Sequence, residues 1–334
     1  MKSFIREISH VFKHQAAQWL AAPIHWLFGS GPAPCGILMY HRLAEPTPNE
    51  PEPTYNVSPK VFRAQLEGLL ACGYQPFSLR DVLTCIRCGC EIPRRSFVVT
   101  FDDCYDHVFD VAYPILQRLN IPATLFISTA YLDSTEPFPF DDWEAKGKPT
   151  VPQSSWLPVT TAHCQEMLSS GLIDLGAHTH THQDFRGRPA EFQADMEENV
   201  AELAKRFGIR HPTFAFPYGT VELGYTAPDL VAGVHASGAI CALTTDRHAV
   251  TLDSDPYQIG RFIAEDFDTP LSLQFKLSGW YSGLRSIWQS CKRWMMPWRW
   301  FASNSEKAVQ AESPEKLNEA KPAIAVQPTV DPSN

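Results

Sequence analysis

The sequence predicts an α/β fold, a parallel barrel assembled from seven strand–helix units. Three observations carry that prediction. Short apolar runs alternate with helical patterns between residues 36 and 263. Ionisable residues gather at the ends of those runs, where a parallel barrel builds its site. A chain of 334 residues with 44% hydrophobic content can also bury the large core that such a barrel needs.

In chain order, "GILMYH" (36–41) is the first strand and ends in His41. Helical patterns over 58–72 and 79–87 precede the second strand, "SFVVTF" (96–101). There Val98, Val99 and Phe101 favour a strand, which runs into Asp102 and Asp103. A helix over 105–119 leads to the strand "ATLFIS" (123–128), and a helix over 160–170 leads to "LIDLGAH" (172–178). That strand opens into "HTHTH", His178 to His182. After a helix over 189–207, "TFAF" (213–216) runs into Pro217, Tyr218 and Gly219. A helix over 226–237 and the strands "AICALTT" (239–245) and "QIGRFI" (258–263) complete the set, the last carrying Arg261. No internal repeat is visible.

The barrel is assigned to residues 31–285, with flanks of different character. Over residues 1–30, Phe4, Ile5, Ile8, Val11, Phe12, Ala16, Trp19 and Leu20 share one helical face. Lys2, Arg6 and Lys13 interrupt any continuous apolar signal segment. Such a helix either packs on its own domain or lies on a membrane surface. A Trp- and Arg-rich stretch over 286–301 suits the same interface, or a helix capping the domain. Residues 302–334, polar and rich in proline, are expected to be disordered. No run reaches transmembrane length. The expected location is cytoplasmic, and peripheral on the inner face of the cell membrane if the flanking segments bind lipid rather than pack on the domain.

A net charge of −9 argues against nucleic acid as a partner. Nine cysteines show no disulfide framework, which points to a reducing compartment. Cys85, Cys88 and Cys90 read as ordinary thiols at a helix end, with a zinc site as the weaker alternative because no fourth ligand is nearby.

The chemistry concentrates in two places. Either aspartate of "TFDDC" would serve as a helix cap. With "HTHTH" on a neighbouring strand, the pair reads instead as part of a metal site. Two neutral imidazoles, His178 and His182, and one carboxylate form a three-ligand set that leaves positions open for water and substrate. His180 lies between them and is expected to point elsewhere.

"TFDDC", "HTHTH" and "FAFPYG" resemble the first three motifs of the polysaccharide deacetylases with a NodB homology domain, carbohydrate esterase family 4. The resemblance spans roughly residues 36 to 265 and implies a distorted seven-stranded (β/α) barrel. It implies Asp102 as catalytic base and Asp103, His178 and His182 as ligands of a divalent metal, zinc first, with nickel or cobalt also fitting. Three departures stand out. Cys104 replaces the glycine after the aspartates. Ala215 stands where an arginine normally braces the base, leaving Arg261 as the candidate for that charge. The late motif bearing the catalytic acid is missing after residue 219, where His235 and His248 have poor contexts. "LMYHRL" is similar to members with permuted motif order, the poly-N-acetylglucosamine deacetylases, and would make His41 the acid. The other reading of His41 is a satisfied core histidine.

The implied reaction is hydrolysis of an N-acetyl group on an amino-sugar glycan or lipid-linked saccharide, such as a cell-envelope glycan or its precursor. The backbone N–H of Tyr218 would stabilise the oxyanion. Two alternatives remain: a metal-dependent amidase on a small N-acyl substrate, and a non-catalytic carbohydrate-binding barrel at a membrane. Trp143, Trp156 and the phenylalanines of residues 133–156 are expected either to form a stacking wall for sugar rings or simply to cover the barrel.

Overall fold

Strand β1 (Cys35–Tyr40) lies at the centre of the fold, buried at every position and paired in parallel with β3 (Ser96–Phe101) from Cys35↔Ser96 to Tyr40↔Phe101. The computed structural model describes residues 34–46, 53–141, 143 and 151–279. The segments expected at 1–30, 286–301 and 302–334 lie outside the described residues. Among the described residues, no helix is long and apolar enough to cross a membrane.

The remaining strands are β2 (Gln75–Pro76), β4 (Ala123–Ile127), β5 (Ile173–Ala177), β6 (Phe214–Ala215), β7 (Ala242–Leu243) and β8 (Phe262–Ile263). All pairings between them are parallel, in the order β7-β6-β5-β4-β3-β1-β8, with β2 beside the start of β3. The sheet is therefore eight-stranded rather than seven, the addition being the two-residue β2. Curvature comes from the last segment, which changes partner along its length. Ile259 bridges Leu243 of β7, and three residues later Phe262 pairs with Leu38 of β1. Each contact is short, so the 213–216, 239–245 and 258–263 runs yield only two regular strand residues apiece.

Alternation along β1 separates two cores. Ile37 faces an inner cluster with Val98, Phe126, Ala215, Leu243 and Ile259, whereas Leu38 and Tyr40 face the outer helices. Helix α1 (Pro59–Ala71) covers that outer face with Phe62, Leu66 and Leu69. Helix α2 (Leu79–Cys88) instead joins the inner cluster through Leu79, Val82 and Leu83. It starts at Ser78, whose hydroxyl accepts the Asp81 N–H, and stops at the left-handed Gly89. Cys85 and Cys88 lie on its last turn and Cys90 just beyond.

A π-helical turn, Val108–Ala112, leads into α3 (Tyr113–Leu119), so the helix begins later than the expected 105. Helices α4 (Thr161–Ser169), α5 (Pro189–Phe207) and α6 (Pro228–Ala236) fall where the periodicity places them. Helix α7 (Pro270–Leu277), which lies beyond the expected helical patterns, opens with a capping box between Thr269 and Ser272. It packs directly on β1. A Cβ on Gly36 would come within 2.5 Å of Leu277 Cδ2, so only glycine admits the helix at that distance.

Candidate active site

All the candidate site residues except Arg261 lie at or just beyond the C-terminal end of a strand. His41 follows β1, Asp102 and Asp103 follow β3, and His178 and His182 follow β5. Tyr218 follows β6, and Arg261 directly precedes β8.

Asp102 is fixed from both directions. Its N–H donates to the Tyr40 carbonyl at 3.0 Å, which extends the β3–β1 ladder by one residue. Its carboxylate accepts two bonds from Arg261, Nη1 to Oδ1 at 2.6 Å and Nη2 to Oδ2 at 2.7 Å. Arg261 is wholly buried and is itself held by the Thr244 carbonyl (Nε, 3.1 Å) and the Thr100 hydroxyl (Nη1, 3.3 Å). Burial would raise the Asp102 pKa, but Arg261 foremost, with His178 and His41, outweighs it and holds the carboxyl below its usual range.

The chain then turns sharply. Asp103 and Cys104 both adopt left-handed backbone, with φ of 65° and 61°. Cys104 takes a conformation suited to the family's glycine and anchors it by donating Sγ–H to the Phe126 carbonyl at 3.3 Å. The turn aims Asp103 Oδ1 at two imidazoles, 3.4 Å from His178 Nε2 and 3.2 Å from His182 Nε2. Burial would raise the Asp103 pKa as well, yet His182 and His178 hold it well below the usual carboxylate range.

The two histidines do not share a helix face. His178 extends β5, its N–H donating to the Ile127 carbonyl at 3.1 Å. Left-handed Thr179 and His182 then fold the loop back, and the His182 N–H donates to Thr179 Oγ1 at 3.0 Å. His178 Nδ1 lies 2.7 Å from the Ala215 carbonyl. A carbonyl can only accept, so Nδ1 carries a proton, which leaves Nε2 as the ring atom facing Asp103. Ala215, which supplies no arginine, thus orients a histidine through its backbone. His180 turns away, bonding Thr129 Oγ1 at 2.9 Å, as the sequence reading expected.

These groups fit a divalent metal on two observations. The ligand atoms of Asp103, His178 and His182 all lie within 4.8 Å of one another, and Asp103 Oδ1 is buried with no hydrogen-bond partner. Two imidazole nitrogens and one carboxylate oxygen form a donor set suited to zinc, cobalt or nickel.

His41 is half-buried at the edge of this group. Burial lowers its pKa, Asp103 and Asp102 pull it back, and Arg261 and His178 oppose them, leaving it below 6.5. Its Nδ1 has no hydrogen-bond partner, and its ring stacks on Tyr55 at 4.7 Å. Tyr218 adopts φ 62° in the Pro-Tyr-Gly turn, with its ring 5.2 Å from that of His182.

Residues 91–231 match the polysaccharide deacetylase family model. It is similar to the poly-beta-1,6-N-acetyl-D-glucosamine N-deacetylases of Staphylococcus epidermidis and Staphylococcus aureus. The first is 25% identical over 69% of this chain and 78% of the relative; the second is 25% identical over 64% and 69%. Two solved structures share the fold. The Streptococcus pyogenes deacetylase PplD, in complex with acetate, has a TM-score of 0.59 and 20% identity, covering 73% of this chain and 97% of the other. IcaB from Ammonifex degensii has a TM-score of 0.58 and 21% identity, covering 74% and 97%. The distorted (β/α) barrel of the NodB deacetylases is thus the fold of this chain.

Several supporting residues had no sequence signal. Asp195 on α5 accepts the N–H groups of His180 (2.5 Å) and Thr181 (3.3 Å) and the Thr181 hydroxyl, pinning the histidine loop. Phe140 stacks on His182 at 3.9 Å. Trp143 and Trp156 do not form a stacking wall. They are 7% and 5% exposed and pack with Ala44 and Val151, because Arg42 draws their loop inward through a 2.6 Å ion pair to Asp141 and a cation–π contact with Trp143.

His107 accepts the Leu43 N–H on Nε2 at 2.6 Å, which requires the neutral ring. Burial, reinforced by the Arg42 cation, lowers its pKa to about 3. An unfolded histidine titrates near 6.5, so between about pH 6.5 and 3 only the unfolded chain takes up this proton. Stability from His107 is therefore complete above about pH 6.5 and should decline as pH falls toward 3, by up to roughly 4 kcal/mol. In His107→Gln, which keeps an acceptor, denaturant unfolding across pH 7 to 4 should show a flatter slope. An unchanged slope would assign the acid sensitivity elsewhere.

Proposed function

We propose that the chain is a metal-dependent hydrolase that removes N-acetyl groups from a poly-N-acetylglucosamine-type glycan. The observation carrying this reading is the adjacency of two buried carboxylates in different electrostatic settings. Asp103 is aimed at two imidazoles, whereas Asp102, next in sequence, is clamped by Arg261.

When bound, the metal polarises the acetyl oxygen and makes an attacking water more acidic. A carboxylate as acidic as Asp102 is a weak base towards ordinary water, which is why the metal is needed. Asp102 takes the water proton as the acetyl carbon is attacked, and Arg261 holds the carboxylate in place through both oxygens. The Tyr218 N–H, presented by the left-handed turn, stabilises the developing oxyanion. His41 delivers a proton to the departing nitrogen. Its lowered pKa makes the imidazolium a stronger acid, although fewer molecules carry the proton at neutral pH.

The similar staphylococcal deacetylases favour an amino-sugar polymer over a small N-acyl substrate. A chelator should abolish acetate release from β-1,6-linked N-acetylglucosamine oligomers, and zinc, cobalt or nickel should restore it. His182→Ala should lose both bound metal and activity. Full metal content in that variant by elemental analysis would refute the ligand assignment.

A further inference from the structure

The two histidines facing Asp103 are held in different ways. The χ2 torsion of a histidine is soft, so its surroundings decide where the ring nitrogens point. His178 is oriented by the 2.7 Å contact of its Nδ1 with the Ala215 carbonyl, the usual arrangement for a metal-binding imidazole. His182 has no such contact. Its Nδ1 is buried without a hydrogen-bond partner among the described residues, although its Nε2 faces Asp103 just as that of His178 does.

What the His182 ring has instead is a flat neighbour. Phe140 lies on its face at 3.9 Å with 23° between the planes, while the rings of His178 and Tyr218 stand off at 5.0 and 5.2 Å, tilted by 59° and 63°. Phe140 is itself set from several sides. It stacks on Phe138 at 5.0 Å and meets Tyr131 edge to face at 5.9 Å. The next residue, Asp141, is fixed by its buried ion pair with Arg42. The loop carrying these rings is also tied to the histidine loop. The Ala130 N–H donates to the His180 carbonyl at 3.0 Å, and the Tyr131 hydroxyl donates to the Thr181 carbonyl at 2.9 Å. These two bonds bring the loops together, and the aromatic face settles the angle of the imidazole. We infer that Phe140 is a positioning residue that sets the affinity of the site for its metal by holding the His182 imidazole in the ligating orientation. This rests on the ligand assignment proposed above. Leucine at 140 would keep apolar bulk but present no flat face, leaving the imidazole free to swing about χ2 away from the point shared with Asp103 and His178. Tyrosine would keep the face.

Zinc binding to the full-length, metal-stripped protein, read by competition with a chromophoric chelator, tests this. Phe140→Leu and Phe140→Ala should each weaken zinc about tenfold, whereas Phe140→Tyr should bind within about twofold of wild type. Cobalt absorption supplies a readout that lost packing alone would not move: the visible bands should change in Phe140→Leu and return in Phe140→Tyr. Wild-type zinc affinity in Phe140→Leu and Phe140→Ala overturns the inference. So does a KM for a β-1,6-linked N-acetylglucosamine tetramer that rises while zinc affinity holds, since Phe140 would then touch substrate instead. Equal weakening in Phe140→Tyr, or weaker zinc binding with an unchanged cobalt spectrum, overturns it as well, because packing rather than ring orientation would be at work. A wild-type protein that takes up no zinc, cobalt or nickel removes the ligand assignment itself, and this inference with it.

Discussion

Asp102→Asn should slow acetate release about a thousandfold while leaving bound metal at the wild-type level. The amide still accepts a hydrogen bond from Arg261 but takes up no proton, and Asp103, His178 and His182 are untouched. Asp103→Asn should do the reverse at its origin, losing metal first and activity as a consequence. The two variants differ by one position in sequence and by partner in space, so the comparison isolates chemistry from binding. Because Asp102→Asn leaves Arg261 buried without its counter-charge, rates should be taken well below the melting temperature of each variant. Equal metal loss in both would sink the division of roles.

Arg261→Met should have the second largest effect, on stability and on the pH profile together. It strips the partner from a carboxylate that is 2% exposed, and breaking a buried pair in this way typically costs about 3–5 kcal/mol. The Asp102 pKa is held down chiefly by Arg261, so its removal lets burial push that pKa up. The base works as a carboxylate, and activity is lost as pH falls through its pKa. The acid limb of kcat/KM should therefore move to higher pH in Arg261→Met. Arg261→Lys should recover part of the shift but not the rate, since an ammonium cannot engage both oxygens in the same plane. An acid limb that stays in place would mean that another group sets it.

The strands were legible wherever both faces are covered. Residues 35–40, 96–101, 123–127 and 173–177 are mostly apolar runs, buried at every position but Asp174, and their expected ends lie within one residue of the observed ones. The later strands were overextended because 213–216, 239–245 and 258–263 share the bend where the sheet changes partner, and only pairing geometry shows where a ladder stops. Helix α7 escaped because it is short and buries Ser272, Gln274 and Lys276 beside its leucines, which blurs the periodicity. Its Thr-Pro start was the available signal.

The acid, base and ligand candidates were visible in sequence because their chemistry restricts the residue types, and a parallel barrel brings strand ends to one face whatever the loops do. What tertiary structure decided were partnerships across long separations. Arg261 reaches Asp102 from 159 positions away, and Arg42 finds Asp141 at a separation of 99. Both depend on side-chain direction at the closing barrel, which no local pattern encodes. The same holds for Trp143 and Trp156, since an aromatic residue in a loop suits either a wet wall or a dry core until a buried cation draws it in. It holds too for the left-handed turns at Asp103, Cys104, Thr179 and His182, which no glycine announced. Residue identity restricted the chemistry available, while backbone strain and distant charges set where each group points.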